Sequence, residues 1–394
     1  MAVGFTLDDV AYLAGSGREA LIEMAARPLT PASQVADIAW ARSHFGERVP
    51  ILVETVLLRR RAVGKLSDAQ GWLLTDDALQ QATATPVAAH RARRLAGAVV
   101  HDVTCSIGTE LAALRDSAAE VIGSDIDPVR LAMARHNLGP DVALCRADAL
   151  APVTRGAVVV ADPARRSSGR RRFDPRDYVP ALDSLLAVYA DRDIVVKCAP
   201  GIDFTALRDM GFAGEVSVTS LGGGVRESCL WSSGLSDPAV SRRAVVLDKN
   251  GQLDYELTDA DPDECATAPA GRWIVDPDGA VVRAGLVRHY AARHGLWQLD
   301  PAIAYLTGDE LPSGVRGFEV IDEISFQEKR LRQALGAHDA SAVEILVRGV
   351  DVDPDVLRSR LKVKGAGPAL SVVITRIGAG AASRSVAFIC RPSR

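Results

Sequence analysis

The sequence has few cysteines, and their arrangement fits neither a disulfide framework nor a metal site. The six cysteines are spread over 394 residues, without a CxxC pair and without histidines at the spacing of metal ligands. Secreted domains that depend on disulfides carry cysteines far more densely. We therefore expect no structural disulfide, no bound metal and a reducing cellular compartment.

Long apolar segments and a strong net charge are missing as well. No segment reaches the roughly 20 apolar residues that a helix needs to span a bilayer, and residues 1–9 lack the basic and apolar stretches of a signal peptide. We expect a cytoplasmic protein without a membrane partner. The formal net charge is −4, so binding to a nucleic acid would depend on local basic patches. Nothing in the sequence selects an oligomeric state.

The chain is too long for a single core and divides into four predicted parts. Helical periodicity over residues 1–95 predicts an N-terminal helical domain, and alternating strands and helices over residues 96–240 predict a parallel-sheet core. Residues 241–320 predict a small α+β connector. Residues 321–394 predict a last domain, which begins with a charged helix from Asp322 and ends in strands.

The central part predicts an α/β fold. Seven strand candidates alternate with helices, at residues 99–103, 120–124, 142–146, 157–161, 194–198, 215–221 and 228–232. The last two are separated by the turn Gly222-Gly-Gly-Val-Arg226. Five parallel strands followed by an antiparallel pair predict a doubly wound, Rossmann-like sheet of seven strands, and not the six-stranded all-parallel dinucleotide fold.

Four acids follow successive predicted strands of this sheet: Asp102, Asp125, Asp148 and Asp162. Ligands of open α/β sheets bind outside the carboxyl ends of the strands, so all four acids should face one crevice. The alternative is that each acid only caps the helix that follows it. Helix capping would readily explain one such acid, but it explains less well why an acid follows each of four strands.

Two of these acids predict the cofactor. Asp125 stands where a carboxylate can hold ribose hydroxyls. Asp102 argues against NAD, because a pyrophosphate needs glycines and a free helix N-terminus at that place. A carboxylate suits an ammonium group instead, so we predict S-adenosylmethionine (SAM). The predicted cofactor-binding residues are Asp102, Thr104, Ser106, Gly108, Asp125, Ile126, Asp148 and Asp162.

The turn after the fourth predicted strand carries the predicted catalytic residues. Methyl transfer to an exocyclic nitrogen needs a hydrogen-bond acceptor beside the reacting group, and Asp162 in a turn stiffened by Pro163 can supply it. Arg165 completes this predicted set. The alternative is an ordinary Asp-Pro turn without a catalytic role.

Arginines are concentrated directly after that turn, and a second basic stretch ends the chain, whose last 39 residues contain no acid. A charge run is usually a solvated surface, but arginines beside a methyl-transfer site suit the phosphates of RNA. The predicted RNA contacts are Arg165, Arg166, Arg170, Arg171, Arg172, Lys197, Arg358, Arg360, Lys362 and Lys364.

Taken together, these motifs resemble the bacterial class I SAM-dependent methyltransferases with a C-terminal THUMP-like domain. The resemblance covers most of the chain and rests on Gln81-Ala-Thr83, Asp102-Val-Thr-Cys-Ser-Ile-Gly108, Gly123-Ser-Asp-Ile-Asp-Pro128 with Asn137, Asp162-Pro-Ala-Arg-Arg166, Tyr178-Val-Pro180, Lys197-Cys-Ala-Pro-Gly201 and Glu323-Ile-Ser-Phe-Gln327. It implies that Asp148 faces the adenine amino group. It also implies an RNA methyltransferase whose last domain binds the RNA.

The chain departs from the family pattern at two places. Thr104 and Ser106 occupy positions of the cofactor loop where glycine is usual, which matters most if the backbone there has positive φ. Ala164 and Arg165 stand where amino-methyltransferases have a second proline and an aromatic residue that stacks on a flipped base.

The predicted function is therefore SAM-dependent methylation of a base nitrogen in structured RNA, either tRNA or rRNA. One alternative is a methyltransferase that acts on a small molecule or a protein. Another is a non-catalytic RNA-binding or assembly protein that retains the methyltransferase fold. The fold does not decide between them, because function resides in the site.

Overall fold

The computed structural model describes residues 4–67, 69–165 and 177–393, without the side chains of residues 165 and 381. The chain forms two compact units. The first contains Met1–Pro238 with Leu247–Asp254, and the second contains Ala239–Val246 with Tyr255–Arg394. Each unit is treated separately below.

The first unit begins with helices that form an apolar core of their own. They are α1 (Leu7–Ala14), α2 (Arg18–Ala25), α3 (Gln34–Phe45), α4 (Val49–Ala62), α5 (Asp76–Gln81) and α6 (Thr85–Arg94). Thr6 caps α1 in a capping box with Asp9. Leu13, Met24 and Leu52 are fully buried in this core.

A sheet flanked by helices follows in the same unit. Its elements are β1 (Val99–Asp102), α7 (Thr109–Leu114), β2 (Glu120–Asp125), α8 (Pro128–Leu138), β3 (Ala143–Arg146), β4 (Val158–Ala161), β5 (Ala164–Arg165), β6 (Tyr178–Val179), α9 (Leu182–Val188), β7 (Ile194–Cys198), α10 (Phe204–Asp209), β8 (Gly214–Leu221) and β9 (Gly224–Ser232). Within the first unit seven of these strands, which belong to a sheet of nine, follow the order β3-β2-β1-β4-β7-β9-β8.

This order confirms the predicted Rossmann-like arrangement of seven strands. β3, β2, β1, β4 and β7 are parallel, and β9 pairs antiparallel with both β7 and β8. The central strands are mostly apolar because helices cover both faces of such a sheet; all five residues of β7 are buried, including Lys197 near its end. The carboxyl ends of the parallel strands therefore open at one edge.

The turn between β8 and β9 is the glycine turn that the sequence predicts. Gly222 and Gly223 have φ of +57° and +80°. Two successive residues with positive φ form the turn whose twist matches a β-hairpin, and glycine adopts it without steric cost.

The second unit is built on another sheet. Strands β10 (Arg242–Leu247) and β11 (Leu253–Thr258) lie where the chain passes between the units. The elements that follow are β12 (Trp273–Val275), α11 (Gly279–Arg283), α12 (Val287–His294), β13 (Trp297–Gln298), β14 (Leu306–Gly308), β15 (Gly317–Ser325), α13 (Glu328–Ala337), β16 (Ala342–Arg348), α14 (Pro354–Leu361), β17 (Ala369–Ile377) and β18 (Arg384–Pro392). The strand order is β13-β14-β12-β15-β18-β17-β16.

The predicted start of the charged helix, at Asp322, was wrong. Residues 322–325 belong to β15, and the charged helix α13 begins at Glu328. Alternating apolar and polar residues along β15 let it pair with β18, and that pairing decides the conformation. The predicted boundary between residues 320 and 321 falls inside β15, and both predicted parts contribute strands to one sheet. The four-part division remains a prediction.

Candidate active site

The carboxyl ends of the strands meet at a cavity of about 540 Å³ in the first unit, called the first cavity below. Asp102 and Asp125 are the last residues of β1 and β2, and Asp162 follows β4 directly. The structure brings all but one of the predicted cofactor-binding residues into its wall: Asp102, Thr104, Ser106, Asp125, Ile126, Asp148 and Asp162.

Gly108 is the predicted residue outside that wall. It precedes α7 with φ of +88°, and a Cβ there would lie 2.7 Å from Leu138 Cδ1. Its place in the structure is thus a close approach between the start of α7 and α8.

Ser106, which stands where the family usually has glycine, adopts the left-handed backbone conformation. Its φ is +48°, which costs a residue with a Cβ about 1 kcal/mol relative to glycine. The conformation directs the Ser106 N–H to Asp125 Oδ2 at 2.9 Å. The loop after β1 is thereby fixed to the end of β2.

Asp125 keeps capacity to bind a ligand despite these contacts. Oδ2 accepts the Ser106 N–H and Oδ1 accepts the Asp127 N–H, each at 2.9 Å. A carboxylate offers about four acceptor positions. Asp125 can therefore accept two further hydrogen bonds, as two ribose hydroxyls would donate.

Asp102 is a buried carboxyl group on the wall of the first cavity. It is 2% exposed, and Oδ1 accepts the Thr104 N–H at 3.0 Å. Burial, together with the charge of Glu110, raises the pKa of Asp102 to about 8. A cation in the cavity would favour the ionised form, so the site suits an ammonium group.

A buried charge network that no motif predicted lies beside this wall. Arg91, from α6, donates from Nε and Nη2 to Glu110 Oε1 and Oε2 at 2.8 and 2.6 Å. Its Nη1 donates to Glu227 Oε1 on β9. Burial alone would raise the pKa of Glu110, but Arg91 and Lys197 hold it below its ordinary value. The Glu110 carboxylate is therefore ionised inside the protein.

Lys197 joins this network to Asp162. Its Nζ lies 2.5 Å from Asp162 Oδ2 and 3.8 Å from Glu110 Oε2. The Asp162 N–H donates to Thr104 Oγ1 at 2.6 Å, so Asp162 is held at both its carboxylate and its amide. Lys197 is 7% exposed; its predicted contact with RNA remains a prediction.

A second cavity, of about 710 Å³, adjoins the first. Both are lined by Gln81, Ala82, Asp162, Tyr178 and Lys197. Pro163, the second predicted catalytic residue, is buried and lies in the wall of the second cavity only. The Asp162–Lys197 pair therefore stands where the two cavities meet.

The predicted arginine loop is only partly described. In β5, Arg165 is paired antiparallel with Tyr178 of β6, which brings the two ends of the loop together beside the first cavity. The predicted RNA contacts Arg166, Arg170, Arg171 and Arg172 lie outside the described residues, as does the side chain of Arg165.

The basic residues predicted near the C-terminus lie on and after α14. Arg360, Lys362 and Lys364 line a cavity of about 780 Å³ within the second unit. Arg358 pairs with Asp355 at 2.6 Å, and Arg360 lies 3.9 Å from Glu328. Acids from earlier in the chain therefore accompany these cations in the fold.

Sequence reasoning missed Arg91, Glu110 and Glu227, although one of them left a signal. Val87, Ala88, Arg91, Ala92 and Leu95 are all buried, at the spacing of one helix face. An arginine on an otherwise apolar face predicts a buried partner. Glu110 and Glu227 carry no comparable signal, because their partner comes from another element.

Two classes of feature are absent from the described part of the chain. Within residues 4–67, 69–165 and 177–393, no group of three or more His, Cys, Asp or Glu side chains is arranged to hold a metal ion. Over the same residues, no helix combines the length and the apolar character required to cross a membrane.

Comparisons with known proteins bear on both units. Residues 315–392 match the family model described as THUMP domain-like. Two Mycobacterium tuberculosis proteins, from strains CDC 1551 and H37Rv, are 64% identical over 362 residues, which is 90% of this chain and 100% of each relative. Both are described as uncharacterised S-adenosylmethionine-dependent methyltransferases. A crystal structure from Porphyromonas gingivalis W83, described as a candidate methyltransferase, covers 100% of both chains with a TM-score of 0.78 at 20% identity, a likeness of fold.

Proposed function

Since the chain belongs to the S-adenosylmethionine-dependent methyltransferases and carries a C-terminal THUMP-like domain, we propose that it methylates a base nitrogen of structured RNA, either tRNA or rRNA. The observation that carries the proposal is the position of Asp162. Its carboxylate stands between the first cavity and the second, held by Lys197. None of the six cysteines forms a disulfide, which fits a reaction in the cytoplasm.

The first cavity has the chemistry that SAM requires. The buried Asp102 carboxyl suits its ammonium group, Asp125 can accept the ribose hydroxyls, and Asp148 lines the same wall for the adenine amino group. Thr104, Ser106 and Gly108 shape the loop after β1, and Ile126 adds an exposed apolar side chain. When bound, SAM supplies a methyl group on a positively charged sulfur, which a nitrogen lone pair can attack to leave a neutral thioether.

Asp162 has two roles in this proposal. Its carboxylate accepts a hydrogen bond from the acceptor nitrogen and so orients the lone pair. After transfer the nitrogen carries one proton too many, and an Asp162 oxygen can receive it. Lys197 and Thr104 act as positioning residues for this carboxylate. Pro163 stiffens the turn, and Arg165 stands at the first residue of the arginine loop.

The THUMP-like match supports RNA as the substrate class. The family resemblance described above implies that the last domain binds RNA. Arg360, Lys362 and Lys364 line one cavity of the second unit. Arginine and lysine bind phosphate backbones through charge, which makes such binding dependent on salt. We assign these residues, with Arg358 and the arginine loop, to RNA binding.

The test is transfer of a labelled methyl group from SAM to bulk RNA extracted from cells that lack the gene. We expect label in the RNA fraction, sensitive to ribonuclease. Asp162→Asn should reduce transfer at least about 100-fold, the contribution of a positioned base, while SAM binding is retained. Asp203→Asn, which preserves the cap of α10, is the matched control and should transfer normally. Label that appears only in protein or small molecules would contradict the proposal.

A further inference from the structure

The second cavity is large enough for a ligand and is built by elements that the cofactor site does not need. Its wall takes Lys65 and Gln80 from the N-terminal helical region and Val225, Arg226 and Glu227 from the start of β9. Its volume of about 710 Å³ lies in the usual range of small-ligand sites. It also includes Asp162, the proposed catalytic carboxylate.

Side chains of both charges line this cavity. Arg226 is exposed and Lys65 is half-buried. Burial lowers the pKa of Lys65, and the nearby cations Lys197 and Arg226 lower it further. Glu227 is buried, with Oε2 accepting the Thr83 hydroxyl at 3.1 Å. The cavity therefore combines an exposed and a half-buried cation, Arg226 and Lys65, with the carboxylates of Asp162 and Glu227. The buried Lys197 pairs with Asp162 in the same wall.

A nucleotide has the complementary distribution of groups. Its phosphate is anionic, and its base is a neutral ring with hydrogen-bonding edges. Carboxylate oxygens accept hydrogen bonds, so Asp162 and Glu227 fit a base that donates from an exocyclic amino group. Adenine, cytosine and guanine carry such a group, whereas uracil presents two carbonyl oxygens.

We propose that the second cavity is the acceptor site and holds one nucleotide of the RNA. Arg226 and Lys65 bind its phosphate, and an exocyclic amino group faces the carboxylates of Asp162 and Glu227. The inference rests on the proposed RNA methylation and narrows its target to a base with an amino group. It also assigns selection of the acceptor to the N-terminal region and the β8–β9 hairpin.

Arg226 is the residue with which to test this site. Lys65 already donates to the Leu79 and Gln80 carbonyls at 2.7 and 2.9 Å, so its removal would also disturb α5. Arg226 makes one long contact, from Nη2 to the Leu221 carbonyl at 3.4 Å. Lys249 is exposed, lies beside the same hairpin at Gly222 and lines neither cavity, so Lys249→Glu is the matched control.

The experiment titrates the full-length protein, saturated with S-adenosylhomocysteine, with CMP and with UMP. Saturation keeps the probes out of the first cavity. We expect CMP to bind more tightly than UMP, and Arg226→Glu to weaken CMP binding about tenfold or more, as the loss of a charge-assisted contact does. Lys249→Glu should bind CMP like the unaltered protein. Equal binding of CMP and UMP, or unaltered CMP binding by Arg226→Glu, would overturn the proposal.

A second variant separates this inference from the proposed function. Val225→Trp places a large ring in the second cavity and leaves the wall of the first intact. We expect it to bind SAM and to lose both CMP binding and RNA methylation. Full RNA methylation by this variant would refute the acceptor site while RNA methylation itself stood. CMP binding that depends on Val225 and Arg226, in a protein that labels no RNA, would support the nucleotide site and refute RNA methylation.

Discussion

The two units handle charge in opposite ways. In the first, Arg91, Glu110 and Lys197 are buried around one site. In the second, cations are paired at the surface; the side chains of Arg358 and Asp355 are 47% and 86% exposed. The second unit ends in 39 residues without an acid, yet the buried charge interactions lie in the first. Burial, more than the density of charge along the chain, shows where charged side chains are arranged for a purpose.

The largest expected effect comes from breaking the buried network. Arg91→Met leaves Glu227 without its guanidinium partner and Glu110 with Lys197 only. We expect the free energy of unfolding to fall by about 3–5 kcal/mol, the cost of an uncompensated buried charge. Urea denaturation followed by circular dichroism measures it.

A second substitution serves as the control for that result. Adding Glu227→Gln to Arg91→Met removes one of the uncompensated charges, so part of the lost stability should return. If the double variant is less stable than Arg91→Met alone, the network does not compensate charge in the way described.

An intermediate effect is expected from Asp102, whose neutral form is favoured by burial. Binding of the SAM ammonium requires the ionised form, so a proton must leave Asp102 when the pH is below about 8. The affinity for SAM should therefore rise as the pH increases from 6 towards 8, by up to about tenfold per unit. It should rise no further above that, because an α-amino group loses its own proton near pH 8.

Calorimetric titration with SAM in two buffers of different ionisation enthalpy measures both the affinity and the proton release. Asp102→Asn should bind more weakly at pH 8 and lose the pH dependence contributed by this carboxyl. An affinity of the unaltered protein that stays constant from pH 6 to 8 would show that Asp102 does not meet the ammonium group.

The smallest effect on stability is expected in the second unit, where the charged pairs are exposed. Arg358→Ala removes an exposed ion pair and should change the free energy of unfolding by less than about 1 kcal/mol. Thermal unfolding at low and high salt measures this. A loss comparable with that of Arg91→Met would erase the distinction between the units.

The position of the first cavity can be predicted from the sequence because it follows from the alternation of strands and helices. Strands of alternating α/β units end at one edge, so an acid at each strand end, such as Asp102 or Asp125, is placed by the topology alone. The Arg91 network is different, since its members come from α6, α7 and β9 and meet only after folding. The spacing of residues along the chain does not predict such contacts between distant elements.

The C-terminal basic stretch shows the opposite limit of a linear pattern. Its last 39 residues contain no acid, yet Glu319, Glu323 and Glu328 approach Arg391, Arg384 and Arg360 within the fold. β15 pairs with β18, which brings residues about 70 positions apart into register. Charge counted along the chain therefore overstates the charge that a partner meets.

Arg91 holds a carboxylate from the wall of each cavity, Glu110 in the first and Glu227 in the second. A ligand that draws on either carboxylate changes the field felt by the other through one shared guanidinium. Linkage then requires reciprocity: the factor by which an occupant of the first cavity changes affinity in the second equals the factor in the reverse direction. An affinity measured for one cavity while the other is empty thus describes only one of the four steps in the binding cycle.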